Sequence, residues 1–149
     1  MKMIVNTGGT MLEPDRSLCV SALDHLVASD GILAGMLALR DGRPFLMRNR
    51  NRNRNWDEGK IAAMVSSTVA LGQTFLRELG AAPLDHILIE GAEGKLVICS
   101  VARSNSLLLL AVVAERDARL GLVLGHAKTC AQAIAAAFPG GVARAGGVA

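Results

Sequence analysis

The chain has 149 residues, 51% hydrophobic and 19% charged, with a formal net charge of +3. A domain of that length buries roughly 68–70% of its unfolded surface, so the composition excludes disorder throughout and supplies ample core. Four of the 16 basic residues, Arg48, Arg50, Arg52 and Arg54, stand in one run, RNRNRNRN; the other 12 face 13 acidic residues, so the surplus charge belongs to one loop.

Residues 1–14 are expected to form a flexible N-terminus, into which a first helix opens near Thr10 or Glu13. Thr10 and Glu13 have the spacing of a capping box, and Pro14 suits the first helical position behind a Glu13 cap. Leu18, Ala22, Leu23, Leu26 and Val27 mark the buried side of this helix, and Ser29-Asp30-Gly31 closes it. Residues 32–39, ILAGMLAL, are apolar on both strand faces and predict a strand covered on both sides. Asp41-Gly42 is the pair favoured in a two-residue hairpin turn, where both central residues take positive φ. The return strand, from about Pro44 to Met47, belongs at a sheet edge, because Pro44 cannot donate to a ladder and Arg48 is charged.

The segment 55–80, NWDEGKIAAMVSSTVALGQTFLRELG, carries the most complete helix signal. Asn55 and Glu58 have capping-box spacing, and Gly80 is placed for a left-handed C-terminal cap. Ile61, Met64, Val65, Leu71, Phe75, Leu76 and Leu79 form an apolar stripe wide enough to cover a sheet. Ala63, Ser67, Ala70 and Thr74 form a second stripe of small side chains, which reads either as a weakly polar outer face or as a surface for a partner. Strands follow at residues 85–90 and 95–101, joined by Gly91-Ala92-Glu93-Gly94, and then at 107–114, LLLLAVVA, again apolar on both faces. A last helix is expected from an Asp117 cap to about Phe138, with Leu120, Leu124, Ala127, Ala131, Ile134 and Phe138 inward. Pro139-Gly140-Gly141 stops it, and 139–149 read as a flexible tail. The two doubly apolar strands should lie side by side at the centre of the sheet. The expected order is return strand, first strand, last strand, fourth, third, with helices on both faces.

Several functional classes find little support. The three cysteines, Cys19, Cys99 and Cys130, are an odd set at unrelated spacings and read as core thiols of a reduced compartment. No secretory h-region and no apolar run of ~18 residues is present, so a cytoplasmic protein is expected. Thr7-Gly8-Gly9-Thr10 lacks the Lys-Ser/Thr of a P-loop, and there is no G-x-S-x-G. His126 and Cys130 share a helix face, but no third metal ligand accompanies them. His25 beside Asp24, and His86 beside Asp85, read as ordinary surface pairs. With three Phe, one Trp and no Tyr, the chain offers no stacking platform for nucleic acid. No catalytic residue, metal or cofactor is therefore expected.

In order along the chain, DGILAGMLALRDGRPF, EGKIAAMVSSTVALGQTFLRELG, HILIEGAEGKLVICSV and LLLLAVVAERDARLGLVLGHAK together resemble a Roadblock/dynein light chain domain over roughly residues 15–138. The resemblance implies an α/β (α+β, profilin- and longin-like) domain. Its five-stranded antiparallel sheet would have the long helix on one face and two helices on the other, in the order αββαβββα. It also implies a non-catalytic binding platform that dimerises by joining sheets edge to edge and laying the long helices side by side. Bacterial members act on Ras-like small GTPases, some as GTPase-activating partners. On this basis Asp85, Ile87 and Ile89 of the third strand mark the dimerising edge. Ala63, Ser67, Ala70 and Thr74 lie where helices meet or a GTPase docks. The arginine–asparagine run, residues 48–55, has no counterpart in a minimal domain of this kind. Arg48, Arg50, Arg52 and Arg54 are a further candidate partner contact on a solvated loop. The rival expectation is a sensory domain that holds a metabolite in its core, and an internal cavity of a few hundred Å³ would favour it.

Overall fold

The computed structural model describes residues 2–6, 9–51 and 53–139; Met1, Thr7-Gly8, Arg52 and the tail from residue 140 onward lie outside the described residues. The elements are β1 (Met3–Asn6), β2 (Gly9–Leu12), α1 (Arg16–Ala28), β3 (Ile32–Leu39), β4 (Pro44–Asn49), α2 (Glu58–Glu78), β5 (His86–Glu90), β6 (Gly94–Ser100), β7 (Leu108–Glu115) and α3 (Leu120–Ala136). The five strands that follow α1 make an antiparallel sheet in the order β4-β3-β7-β6-β5, as hydropathy predicts. The centre goes to β3 and β7 because every alternative would expose one face of an apolar strand to water.

The period of two in β3 and β7 sorts side chains into two cores. Leu37, Leu39, Leu108, Leu110 and Val112 point to the side covered by α1 and α3, where they meet Leu23, Leu26, Val123, Ala127 and Ile134. Met36, Ala38, Leu109 and Ala111 point the other way, against Ala62, Val65 and Val69 of α2. The small alanines on both sides of this second core let α2 lie close to the sheet. Cys19 and Cys130 are buried and Cys99 half-buried, all as free thiols. No described helix is long and apolar enough to cross a membrane.

Most departures from the sequence reading lie at element ends. The long helix is capped by Asp57, not Asn55: the Asp57 carboxylate accepts from the Lys60 N–H at 3.1 Å, and the helix has 21 residues. An acid at this end also faces the positive pole of the helix. At its other end Gly80 does take the left-handed conformation, at φ 68°. Ala81 N–H donates to the Leu76 carbonyl at 2.8 Å and Gly80 N–H to that of Arg77 at 3.1 Å, the paired closure of a Schellman motif. Asp15 rather than Thr10 or Glu13 caps α1, accepting from Ser17 and Leu18 N–H at 3.0 and 3.3 Å. Asp117 does not cap α3, because Ala118 N–H closes a turn onto Glu115 ahead of the helix; the capping position falls on Arg119, whose side chain makes no such bond.

Two further differences concern hairpins. Between β3 and β4 only Gly42 has positive φ, at 94°, so the loop is not the two-residue turn expected of Asp-Gly. Gly42 N–H donates to the Leu39 carbonyl, Leu39 N–H to that of Arg43, and the register slips beyond Leu37. That is the three-residue form, with the glycine as a bulge. Before residue 13, where the sequence reading places a flexible N-terminus, β1 and β2 pair as a separate hairpin. Its Met11 is buried and its Ile4 packs on the α1/α3 core.

Candidate protein-interaction surface

The long helix has three environments. At ~100° per residue, Ala62, Val65 and Val69 face the sheet and are buried. One flank turns toward β5: a Cβ built on Gly72 would lie 3.1 Å from Ile87 Cδ1. The other turns toward the β3–β4 turn, where a Cβ on Gly42 would lie 3.4 Å from Ala63 Cα. The stripe predicted to cover the sheet divides between these environments. Val65 is buried and Ile61 and Leu76 are half-buried, but Met64, Leu71, Phe75 and Leu79 are 60%, 59%, 60% and 76% exposed. All four lie on the β5 flank. The reason is that α2 rests chiefly on β3 and β4, so the flank over the β5 half of the sheet overhangs.

Ala63, Ser67, Ala70 and Thr74 are exposed along the outer face, turned toward the β4 side. The Thr74 hydroxyl donates to the Ala70 carbonyl at 3.0 Å, so the strip presents small side chains with the Ser67 hydroxyl among them.

The edge strand β5 pairs only with β6, with Ile87 opposite Ile98 and Ile89 opposite Leu96. Its outward backbone groups have no strand partner among the described residues. Ile87 is half-buried and Ile89 46% exposed, both on the α2 side. Asp85 lies just before the strand. Its carboxylate is 2.8 Å from His86 Nδ1 and 3.9 Å from Lys128 Nζ; the His86 hydrogen bond first, and Lys128 second, hold it below the usual carboxylate range. On that other face His86 stands opposite Cys99 of β6. Burial pushes the Cys99 thiol up to about 11, so it is not a ready nucleophile at neutral pH.

Between the first half of α2 and the sheet lies an apolar groove of about 300 Å³, walled by Trp56, Ile61, Met64, Met36, Ile89 and Val113; Thr68 is the one hydroxyl in its lining. It opens beside the exposed flank of α2.

The arginine–asparagine run is not the free cationic loop that repetition suggests. Arg48 Nε bonds to Asp24 at 3.1 Å, the acid expected to pair with His25. Arg50 donates to the carbonyls of Val27, at 3.1 Å, and Ser29, closing the C-terminus of α1. Arg54 stacks over Trp56, its guanidinium carbon 5.5 Å from the ring centroid. Asn49 and Asn51 accept from the N–H two residues on, at 3.1 and 3.0 Å, forming successive Asx turns. In the first half of the run, Arg48 and Arg50 hold α1 while Asn49 and Asn51 turn the chain. Arg52 lies outside the described residues. His25 and His126 line one groove between α1 and α3, and no cluster of three potential metal ligands occurs among the described residues.

No protein-family profile matches the sequence, and no curated protein matches it. Solved structures do match in three dimensions. The gliding protein MglB from Thermus thermophilus superposes with a TM-score of 0.73 at 19% identity, over 91% of this chain and 93% of that one. An MglB in a tetrameric arrangement gives 0.74 at 20% identity, over the same shares. The Roadblock/LC7 domain from Streptomyces avermitilis gives 0.66 at 16% identity, over 76% of this chain and 92% of that one. The fold is of the Roadblock type, as the residue pattern predicts.

Proposed function

We propose that this chain is a non-catalytic, dimeric regulator that binds a Ras-like small GTPase and biases its nucleotide state in the cytoplasm. The observation that carries the reading is the unbroken apolar surface formed by the overhanging flank of α2 and the open edge of β5. Two copies related by a twofold axis along β5 would continue one sheet into the other. Met64, Leu71, Phe75 and Leu79 would then meet their counterparts across the axis. Burying each contributes about 1–2 kcal/mol, and eight such side chains are needed to offset an association cost on the order of 4–15 kcal/mol. The small-residue strip Ala63, Ser67, Ala70 and Thr74 is left facing outward on the joined helices, where a GTPase's switch segments would lie flat against it. A regulator acts there by favouring one switch arrangement, with the reacting groups in the GTPase.

The likeness to an MglB in a tetrameric arrangement supports self-association. Arg48, Arg50 and Arg54 already have the roles within the chain given above, so partner contact is assigned to the strip instead. The groove of about 300 Å³ favours a second reading, a sensory domain for an apolar metabolite. With one hydroxyl in its lining it could not orient a polar ligand.

The test is to isolate the GTPase that co-purifies from the source cell, then measure its GTP turnover and its binding to variants. Ala63→Arg and Ala70→Arg should abolish GTPase binding while leaving the solution mass at two copies. Phe75→Glu should halve the mass. Retention of full binding by both arginine variants would discard the assignment. A small molecule released from purified protein on denaturation would favour the second reading.

A further inference from the structure

At the C-terminal end of α2, Arg40, Gln73, Arg77, Ala82, Pro83 and Leu84 line a cavity of about 260 Å³. Arg40 ends the β3 side of the turn, and its position is over-determined. Its N–H donates to the Leu107 carbonyl at 2.8 Å, its own carbonyl accepts from the Ser66 hydroxyl, and one guanidinium nitrogen donates to Gln73 Oε1. Arg77 reaches the Thr74 hydroxyl at 3.4 Å. Neither guanidinium has a carboxylate within 4.0 Å among the described residues. The Leu76 and Arg77 carbonyls at the end of α2 already accept the Schellman bonds.

Two like charges sharing a cavity repel, and a fixed guanidinium has five donors in a plane suited to an oxyanion. Gln73 and Thr74 engage one nitrogen of each and so orient the remaining donors. We propose that this cavity is an oxyanion site, in which Arg40 and Arg77 together hold a phosphoryl or carboxylate group over the apolar floor of Pro83 and Leu84. It does not depend on the identity of the protein partner.

The experiment follows the arginine Nε–H signals of the full chain by NMR while inorganic phosphate or acetate is added at constant ionic strength. Saturable shifts of both Arg40 and Arg77 with either anion support the site, and the tighter anion identifies the source of the group. Arg77→Gln, an exposed substitution that leaves the fold intact, should weaken that binding on the order of tenfold; Arg40→Gln should do at least as much. If neither anion shifts the two signals saturably, or if Arg77→Gln binds as well as the parent, the proposal is overturned.

Discussion

The two outer strands of the sheet meet solvent in opposite ways. Strand β4 begins with Pro44, which has no N–H to offer, and its Arg48 and the adjoining Arg50 are drawn onto α1 through Asp24 and the carbonyls of Val27 and Ser29. Its edge is thereby charged and covered, the usual protection against unwanted strand pairing. Strand β5, HILIE, has neither proline nor lysine, places Ile87 and Ile89 on one face, and runs beneath four exposed large side chains of α2. One sheet thus carries a closed border and an open one. In the proposed dimer only the bare border would be extended.

The largest expected effect comes from closing the open border. Phe75→Glu combined with Ile89→Lys should weaken dimerisation at least about 100-fold, since each loss of ~1.4 kcal/mol costs a factor of ten and a twofold interface counts every substitution twice. Sedimentation over a wide concentration range measures it, and a parent chain that stays monomeric when concentrated would remove the contrast altogether. The converse change opens the closed border. Pro44→Val with Arg48→Val should produce concentration-dependent light scattering that the parent does not show, while the β5 dimer persists. Smaller effects follow from the staples of β4. Arg50→Ala loses the bonds to α1 carbonyls and should lower stability by about 1–2 kcal/mol in urea titration. Arg48→Ala breaks an exposed pair and should cost less than about 1 kcal/mol.

The smallest effect is at the start of β5. Asp85 has a depressed folded-state pKa, so its pairing with His86 and Lys128 adds stability at pH values above the ordinary carboxylate value near 3.8 and loses it as pH falls through the lower folded value. Asp85→Asn should therefore lower the melting temperature slightly at neutral pH, converge on the parent at acid pH, and so flatten the fall between the two. A melting temperature identical to the parent's at neutral pH would show that the pair contributes nothing.

How much could be read from residues alone differs between these regions. The order of the sheet followed from two runs, 32–39 and 107–114, whose apolar residues on both faces leave no position but the centre. The edge character of β4 followed from Pro44 and Arg48. The candidate sites were legible only as sets of residues. Met64, Leu71, Phe75 and Leu79 belong to the same helical periodicity as Val65, and no local signal separates a side chain pressed on a sheet from one overhanging it. The Arg40–Arg77 cavity gave no sequence signal, because its two cations are 37 positions apart and meet only through the packing of α2.

The sequence by itself determined the class of fold, the strand order and the existence of a long two-faced helix, because those rest on hydrophobic periodicity and on the backbone limits of proline and glycine. Tertiary structure alone decided which flank of that helix stays open and which of several acids caps it. It also decided that two arginines of an apparently free run, Arg48 and Arg50, hold α1. Those outcomes depend on where a helix sits relative to strands distant in the chain. Burial is a property of the assembled layers, whereas periodicity is a property of one segment.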